Sequence, residues 1–176
     1  KTLDILLINP MWKGHGNRKK IKVSENRVHP LSLGIIAGVI HQHHSGHRVK
    51  IVDQINAQVP FCEHFDLVGI HVTTYTADIA YKLADRFRGK GIPVIMGGVH
   101  PSFMPDECLK HANAVVQGEA EESLPKLLDD FIAGKMKKIY SSGPLKDMSQ
   151  VPIPNRSLFS LKGANAAFVQ ATRGCN

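Results

Sequence analysis

The segment DLVGIHVTTYTADIAYKLADRFRGKGIPVIMGG, residues 66–98, contains in succession the patterns of a buried strand, an amphipathic helix and a second buried strand. Continuous apolar runs at 67–72 and 93–96 are typical of strands that are covered on both faces. Between them, apolar residues recur at helical intervals from Ile79 to Phe87. Because a helix that joins two neighbouring parallel strands makes a right-handed crossover, this segment predicts a β-α-β unit.

The same alternation of apolar runs and helical periods extends in both directions from this unit. The predicted strands span 4–9, 49–53, 67–72, 93–96 and 114–117. The predicted helices span 31–43, 77–90, 105–111 and 121–132. Repeated β/α units of this kind predict an α/β fold with a doubly wound, open parallel sheet of the Rossmann-like or flavodoxin-like type.

The sequence pattern changes from about residue 139 onward, where the alternation of apolar runs and helical periods ends. Ser-Gly-Pro and Val-Pro-Ile-Pro stretches favour extended backbone, so we predict a linker over 139–165 after an α/β domain over 1–138. An apolar run at 166–171 predicts the first strand of a further domain within 166–176. Because the sequence also lacks an initiator methionine, we expect it to be a fragment of a longer protein.

Composition excludes several classes of protein. The 176 residues are 43% hydrophobic and 21% charged, which is typical of a globular domain and not of a disordered or fibrous chain. No apolar run is long enough for a membrane-spanning helix. Three widely spaced cysteines do not suit a disulfide-rich secreted domain, so we expect a reducing, cytoplasmic environment.

The net charge of +7 is concentrated in one loop between Trp12 and Pro30. We define the basic loop as residues 13–27, which contain six basic residues and one acidic residue, Glu25. A nucleic-acid surface is one interpretation, but no aromatic side chains for base stacking are interleaved, and we expect no nucleic-acid partner. A solvated loop, or one that covers a ligand or meets an anionic substrate, fits better. The basic residues are Lys13, Arg18, Lys19, Lys20, Lys22 and Arg27.

Ligands of open α/β sheets bind beyond the carboxyl ends of the strands, which directs attention to the segments after each predicted strand. Gly97-Gly98 and Gly118-Glu119 follow strands there, although a tight turn or simple helix capping would explain them equally well. His71 and His100 lie at or just past strand ends. Neither glycine loop matches a dinucleotide or phosphate-loop fingerprint, so nucleotide binding has no support.

A second cluster of histidines stands at the end of the predicted helix 31–43. Histidines at 41, 43, 44 and 47 could share a metal ion if their imidazoles converged. Imidazoles also suit the negative end of a helix dipole and can cap its free carbonyl groups, which needs no metal. Both interpretations stay open from the sequence.

The order of segments along the chain resembles the N-terminal half of the cobalamin-binding radical S-adenosylmethionine proteins. The final residues Thr172 to Asn176, TRGCN, look like the opening of the C-x-x-x-C-x-x-C motif that holds a [4Fe–4S] cluster. The other matching segments lie at 6–10, 29–34, 46–53, 66–70, 96–101, 118–124 and 151–154.

This resemblance implies a cobalamin (B12)-binding domain, with the nucleotide tail of the cofactor among the loops after the third, fourth and fifth strands. It implies that Cys175 is the first cluster ligand, and that the cluster and S-adenosylmethionine belong to a C-terminal radical domain. The motif D-x-H-x-x-G, which supplies a histidine to cobalt in other cobalamin modules, has no match here. The cofactor-binding residues implied are Thr73, Thr74, Tyr75, Gly97, Gly98, His100, Gly118 and Glu119.

The resemblance implies that the parent enzyme performs methyl transfer or an oxidative cyclisation, with a tetrapyrrole among the candidate substrates, as in the anaerobic magnesium-protoporphyrin monomethyl ester cyclases. We expect the fragment alone to be inactive. Two other classes are weighed against this function. One is a domain of the same fold that serves only as a scaffold. The other is a flavodoxin-like or receiver-like domain, against which Asn9-Pro10 stands where a receiver has its acidic pair.

Overall fold

The structure is a computed structural model. It describes residues 2–11, 27–28, 30–55, 57–145, 147–159, 164–166 and 168–173. Most of the predicted basic loop and the predicted cluster ligand Cys175 lie outside the described residues.

A six-stranded parallel sheet forms the centre of the fold, in the order β3-β1-β4-β5-β6-β7. The strands in chain order are β1 (Asp4–Asn9), β2 (Arg27–Val28), β3 (Arg48–Asp53), β4 (Leu67–His71), β5 (Val94–Gly97), β6 (Ala114–Gln117), β7 (Ile139–Ser141) and β8 (Ala164–Ala166). The two short strands β2 and β8 pair with each other in a separate ladder. The doubly wound parallel sheet is therefore confirmed, and its first five strands follow the flavodoxin-like order.

Helices cover both faces of the sheet. They are α1 (Leu31–His43), α2 (Ala77–Arg88), α3 (Val99–Phe103), α4 (Pro105–Cys108) and α5 (Ser123–Ile132). The apolar residues of α1 and α5 pack on one face of the sheet, and those of α2 pack on the other. The central strands are continuous apolar runs because both of their faces are covered in this way. No helix within the described ranges combines the length and the apolar character that a membrane crossing requires.

The edge strand β7 lies at the start of the segment predicted as a linker. Tyr140 at its centre is buried, and its hydroxyl group accepts from the backbone N–H of Lys137 and donates to Asp130. Ile139 and Ser141 are exposed, because an edge strand pairs on one side only. This strand has too few apolar residues for the sequence pattern to reveal it, and the sheet gains a sixth strand as a result.

The segment 147–159, also within the predicted linker, packs against the outer side of α1. Gly34 and Gly38 form a notch there, and a Cβ atom at Gly34 would stand 3.1 Å from both Pro154 Cβ and Phe159 Cε2. The backbone N–H of Asn155 donates to the carbonyl oxygen of Gly34 at 2.9 Å. This part of the predicted linker is therefore packed on the α/β domain.

The histidine cluster at the end of α1 forms a stacked pair. The rings of His44 and His47 lie 5.0 Å apart and nearly parallel, and Nδ1 of His47 accepts from the backbone N–H of Leu3. No three potential ligands among the described residues are grouped to hold a metal ion. Burial, and then the neighbouring His44, lower the pKa of His47 below its usual value. The stacking and the hydrogen bond of His47 therefore favour the structural interpretation of the cluster.

We expect His47 to make the stability of the protein depend on pH. Its pKa is lower in the folded state than in the unfolded state, so its contribution is fully present above about pH 6.5 and is lost as the pH falls through the folded-state pKa. His47→Asn keeps an acceptor for the Leu3 N–H and does not titrate. The free energy of unfolding, measured with urea, should fall less for the variant than for wild-type protein between neutral and mildly acidic pH. An equal fall for both proteins would contradict the prediction.

Candidate ligand-binding site

A cavity of about 540 Å³ opens at the carboxyl ends of β4, β5 and β6, on the face of the sheet that α1 and α5 cover. The first turns of α1 form one wall, with Leu31, Ser32 and Ile35 among the lining residues. The loop after β6 forms the facing wall, and Gln170 and Arg173 from the end of the chain also line the cavity. The cavity lies beside the switch point between β1 and β4, which is where open α/β sheets bind ligands.

Two glycines form the floor of the cavity. A Cβ atom at Gly69 would lie 2.9 Å from Leu7 Cδ2, so the Leu7 side chain uses the space that a side chain at this position would occupy. At Gly97 the nearest side-chain atom, Val116 Cβ, would be 3.7 Å from an added Cβ, which is an ordinary contact. The open space above Gly97 is therefore not used by the protein itself, and it is available to a ligand.

The turn after β5 depends on Gly98. Its φ of +113° disfavours other residues, and a Cβ atom there would lie 2.8 Å from the carbonyl oxygen of Val72 and 3.0 Å from His71 Cδ2. The backbone of this turn can therefore approach the end of β4 closely. The same turn directs the chain into the short helix α3.

Ser102 on α3 connects the two glycine turns that border the cavity. Its hydroxyl group donates to the carbonyl oxygen of Gly98 and accepts from the backbone N–H of Gly118, both at 2.9 Å. Sequence analysis missed this residue because α3 was not predicted. The signal that could have found it is a serine four positions after Gly98, a spacing at which a helical hydroxyl group reaches back to a backbone carbonyl.

The structure brings together four of the eight predicted site residues. Gly97, Gly98, Gly118 and Glu119 all line the cavity. The other four do not line it. Thr73, Thr74 and Tyr75 lie at the same edge of the sheet, where Thr73 and Thr76 cap a short 3-10 turn and Tyr75 is 81% exposed.

His100, the fourth predicted site residue outside the cavity lining, lies on the other side of the sheet. Its imidazole is buried on the α2 face of the sheet, away from the cavity, and Nε2 lies 2.8 Å from the hydroxyl oxygen of Tyr81. That hydroxyl group also donates to Glu107 at 2.8 Å, and burial is the main cause that raises the pKa of Tyr81 well above its usual value. The turn at Gly98 directs His100 to this side, so the residue anchors α3 from behind.

His71, in contrast, lines the cavity. Its Nδ1 lies 3.4 Å from Asn9 Oδ1, and Asn9 Nδ2 donates to Asp53 Oδ1 at 3.1 Å. Because the carboxylate of Asp53 orients the amide, Asn9 presents an oxygen to His71, and Nδ1 must donate. Burial lowers the pKa of His71, which favours the neutral imidazole. Nε2 of this tautomer is an acceptor.

The wall opposite α1 carries an ion-pair cluster. Nη1 of Arg173 lies 2.5 Å from Glu119 Oε2 and 2.6 Å from Glu121 Oε1. Glu119 is a predicted site residue, whereas sequence analysis selected Arg173 only as part of the segment before Cys175. The cluster links the last described residues of the chain to the loop after β6.

The lining of the cavity combines an apolar surface with a small number of polar groups. Its lining is mainly aliphatic side chains and glycine backbone, with a few polar groups at the rim. No paired acid and base or activated nucleophile appears among the residues that line it. Its size and composition suit a bulky, partly apolar organic ligand or part of one.

Comparison with known proteins assigns this architecture to a family. A sequence model described as the B12-binding domain matches residues 19–128. The crystal structure of the N-terminal domain of the hypothetical protein TM0182 from Thermotoga maritima aligns with 70% of this chain and 100% of that chain, at 22% identity and a TM-score of 0.44. That likeness is too distant to inform the site.

Two similar proteins from Chlorobaculum tepidum carry enzyme names. Bacteriochlorophyllide d C-8(2)-methyltransferase is 32% identical over 154 residues, which cover 82% of this chain and 33% of the relative. Bacteriochlorophyllide d C-12(1)-methyltransferase is 36% identical over 117 residues, which cover 63% of this chain and 25% of the relative. The chain thus spans a third or less of the length of these curated relatives.

The hydrogen bonds of Tyr81 predict a stability effect. Tyr81→Phe removes the hydroxyl group and leaves the buried Nε2 of His100 without this partner, which should lower the free energy of unfolding by about 1–3 kcal/mol. Tyr75→Phe is the matched control because Tyr75 is exposed. Urea denaturation of both variants tests this, and equal stability of the two would contradict the anchoring role of His100.

Proposed function

Because the chain belongs to the B12-binding domain family, we propose that it is the cobalamin-binding module of a radical S-adenosylmethionine methyltransferase. The observation that carries the proposal is the glycine-floored cavity at the carboxyl edge of the sheet. Gly69, Gly97, Gly98 and Gly118 all fall within the matched residues. The glycines of the cavity floor therefore lie in the part of the chain that the family shares, whereas Leu7, Gln170 and Arg173 of the lining lie outside it.

The described residues fit a cofactor with a long organic tail. Space above Gly97 remains open where any side chain would project, and aliphatic residues of α1 and α5 flank it. Such a cavity would hold the nucleotide tail, and the exposed Thr74 and Tyr75 at the same sheet edge would be available to contact the corrin ring. The neutral imidazole of His71 offers one hydrogen-bond acceptor to a ligand in the cavity.

When bound, cobalamin supplies methyl-transfer chemistry at its cobalt. The chain's own residues bind and orient the cofactor. Water is excluded from the apolar part of the cavity by Leu33, Ile36 and Leu124. The hydroxyl group of Ser102 fixes the turns at Gly98 and Gly118 relative to each other. We propose that no histidine of this domain binds the cobalt, which the missing D-x-H-x-x-G motif supports.

Methyl transfer is favoured over the oxidative cyclisation. Both similar proteins from Chlorobaculum tepidum are named as methyltransferases of bacteriochlorophyllide d, and neither is named as a cyclase. We propose that the substrate of the whole enzyme is a tetrapyrrole and that the enzyme acts in the cytoplasm. The substrate site, the cluster and S-adenosylmethionine belong to a C-terminal domain in this proposal.

Filling the space above Gly97 tests the cofactor site. Gly97→Val adds a β-branched side chain, which strands tolerate, and places its methyl groups in the cavity. We expect binding of hydroxocobalamin to weaken on the order of tenfold or more, because the ligand would have to displace packed atoms. The measurement is a visible-absorbance titration followed by gel filtration, in which wild-type protein should retain the cofactor with a base-off spectrum.

Gly143→Val is the matched control, since a Cβ atom there meets nothing within 4 Å and the residue does not line the cavity. Circular dichroism should show the same fold for both variants. Wild-type protein that retains no cobalamin would overturn the proposal in favour of a scaffold domain. If wild-type protein and Gly97→Val bind hydroxocobalamin with equal affinity, the cofactor does not bind in this cavity.

The cluster part of the proposal has its own test in the full-length protein. Cys175→Ala should abolish the visible absorbance of a [4Fe–4S] cluster after anaerobic reconstitution, because cluster irons are held by cysteine thiolates. Cys62→Ala is the control, since Cys62 is exposed and lies outside the motif. Full iron content in the Cys175 variant would exclude this residue as a cluster ligand.

A further inference from the structure

The last described segment of the chain, residues 168–173, forms a strap beside the cavity. Gln170 and Arg173 of the strap line the cavity, although both lie far in sequence from the sheet strands that form its floor. The carbonyl oxygen of Phe168 accepts from Arg156 Nη2 at 2.6 Å, and Arg173 binds Glu119 and Glu121. The strap is thus attached at both of its ends.

The contact at Arg173 is shielded from water. Its side chain is 18% exposed, that of Glu121 is 9% exposed and that of Glu119 is 34% exposed. Charge-assisted hydrogen bonds in such surroundings are stronger than those on an open surface. Burial alone would lower the pKa of Arg173, but the hydrogen bonds and charges of Glu121 and Glu119 raise it overall. Without the arginine, the two carboxylates would face each other partly buried and unneutralised.

The loop that receives Arg173 is itself fixed to the sheet. The carbonyl oxygen of Glu119 accepts from the hydroxyl groups of Ser123 and Ser142, and Gly118 donates to Ser102. Glu119 therefore has a defined position on the wall of the cavity. An arginine bound to it places the strap at a defined position as well.

We propose that Arg173 is a positioning residue that holds the strap over the cavity and thereby slows the exchange of bound cobalamin. The inference deepens the proposed function and rests on it. By linkage, a cofactor in the cavity also stabilises the strap, which ends two positions before Cys175 in the sequence. Occupancy of the cofactor site thus orders the segment that leads into the predicted cluster motif.

Cobalamin exchange measures this role directly. Bound hydroxocobalamin is chased with excess methylcobalamin, and visible absorbance follows the rate. Arg173→Gln should release the cofactor on the order of tenfold faster, because the strap loses its partly buried ion pair and such losses act mainly on dissociation. Arg173→Lys keeps the charge but not the forked geometry, and its rate should fall between those of wild-type protein and Arg173→Gln.

A double-mutant cycle distinguishes loss of the ion pair between Arg173 and Glu121 from a general loss of structure. Glu121→Gln alone should also accelerate release, and adding it to Arg173→Gln should change the rate little further, because both substitutions break one interaction. Arg88→Gln is the charge-matched control, since Arg88 lies on α2 and its guanidinium donates to the carbonyl oxygen of Lys110. We expect its exchange rate to equal that of wild-type protein.

A second readout needs no cofactor. Amide hydrogen exchange over residues 168–173 should be faster in cofactor-free Arg173→Gln than in cofactor-free wild-type protein. Adding hydroxocobalamin to wild-type protein should slow it further.

The outcomes distinguish this inference from the proposed function. If wild-type protein retains no cobalamin, both fail. If wild-type protein retains it and Arg173→Gln releases it at the wild-type rate, only the strap inference is overturned. Tighter binding by Arg173→Gln would also overturn it, because the strap would then compete with the cofactor for the cavity.

Discussion

A parallel sheet must bury both of its faces, and this requirement determines the rest of the architecture. The central strands are mainly apolar, so the connections between strands have to cover both faces. Helices do this in most crossovers, whereas the described part of the connection between β3 and β4 contains no helix and packs Val59 and Phe65 into the core. The chain first adds β3 on one side of β1 and then β4 on the other side, which reverses the direction of winding. The loops separate at such a reversal and leave a depression at the carboxyl edge. The cavity lies beside this point.

The cavity is deep because two residues of its floor are glycines, which have no side chain to fill it. Glycine inside a strand weakens the strand, because it adds no packing and has more backbone freedom to lose on folding. Gly69 is explained by the close approach of Leu7, but no protein atom occupies the space above Gly97. The open position at the carboxyl end of β5 leaves room for a ligand at this edge of the sheet.

Packing on the far side of the sheet supports the walls of the cavity. Tyr81 holds His100 at the start of α3, and Ser102 on the same helix joins the turns at Gly98 and Gly118. Packing on the α2 face therefore contributes to the shape of the cavity. On the cavity side, Arg173 adds the contact between the chain end and the loop after β6.

The amino-acid sequence by itself determined the strands β1, β3, β4, β5 and β6 and the helices α1, α2 and α5, because apolar runs and helical periods are local patterns that burial on two faces imposes. It also selected Gly97, Gly98, Gly118 and Glu119, which line the cavity, since glycine-containing turns after buried strands are local patterns as well. Only the tertiary structure decided that β7 joins the sheet. An edge strand is held by pairing with its neighbour, and its exposed residues leave no apolar run in the sequence. It alone decided that His100 turns away from the cavity and that Arg173 reaches Glu119, 54 positions earlier. Contacts between residues so far apart follow from how the elements pack together, which no local pattern in the sequence records.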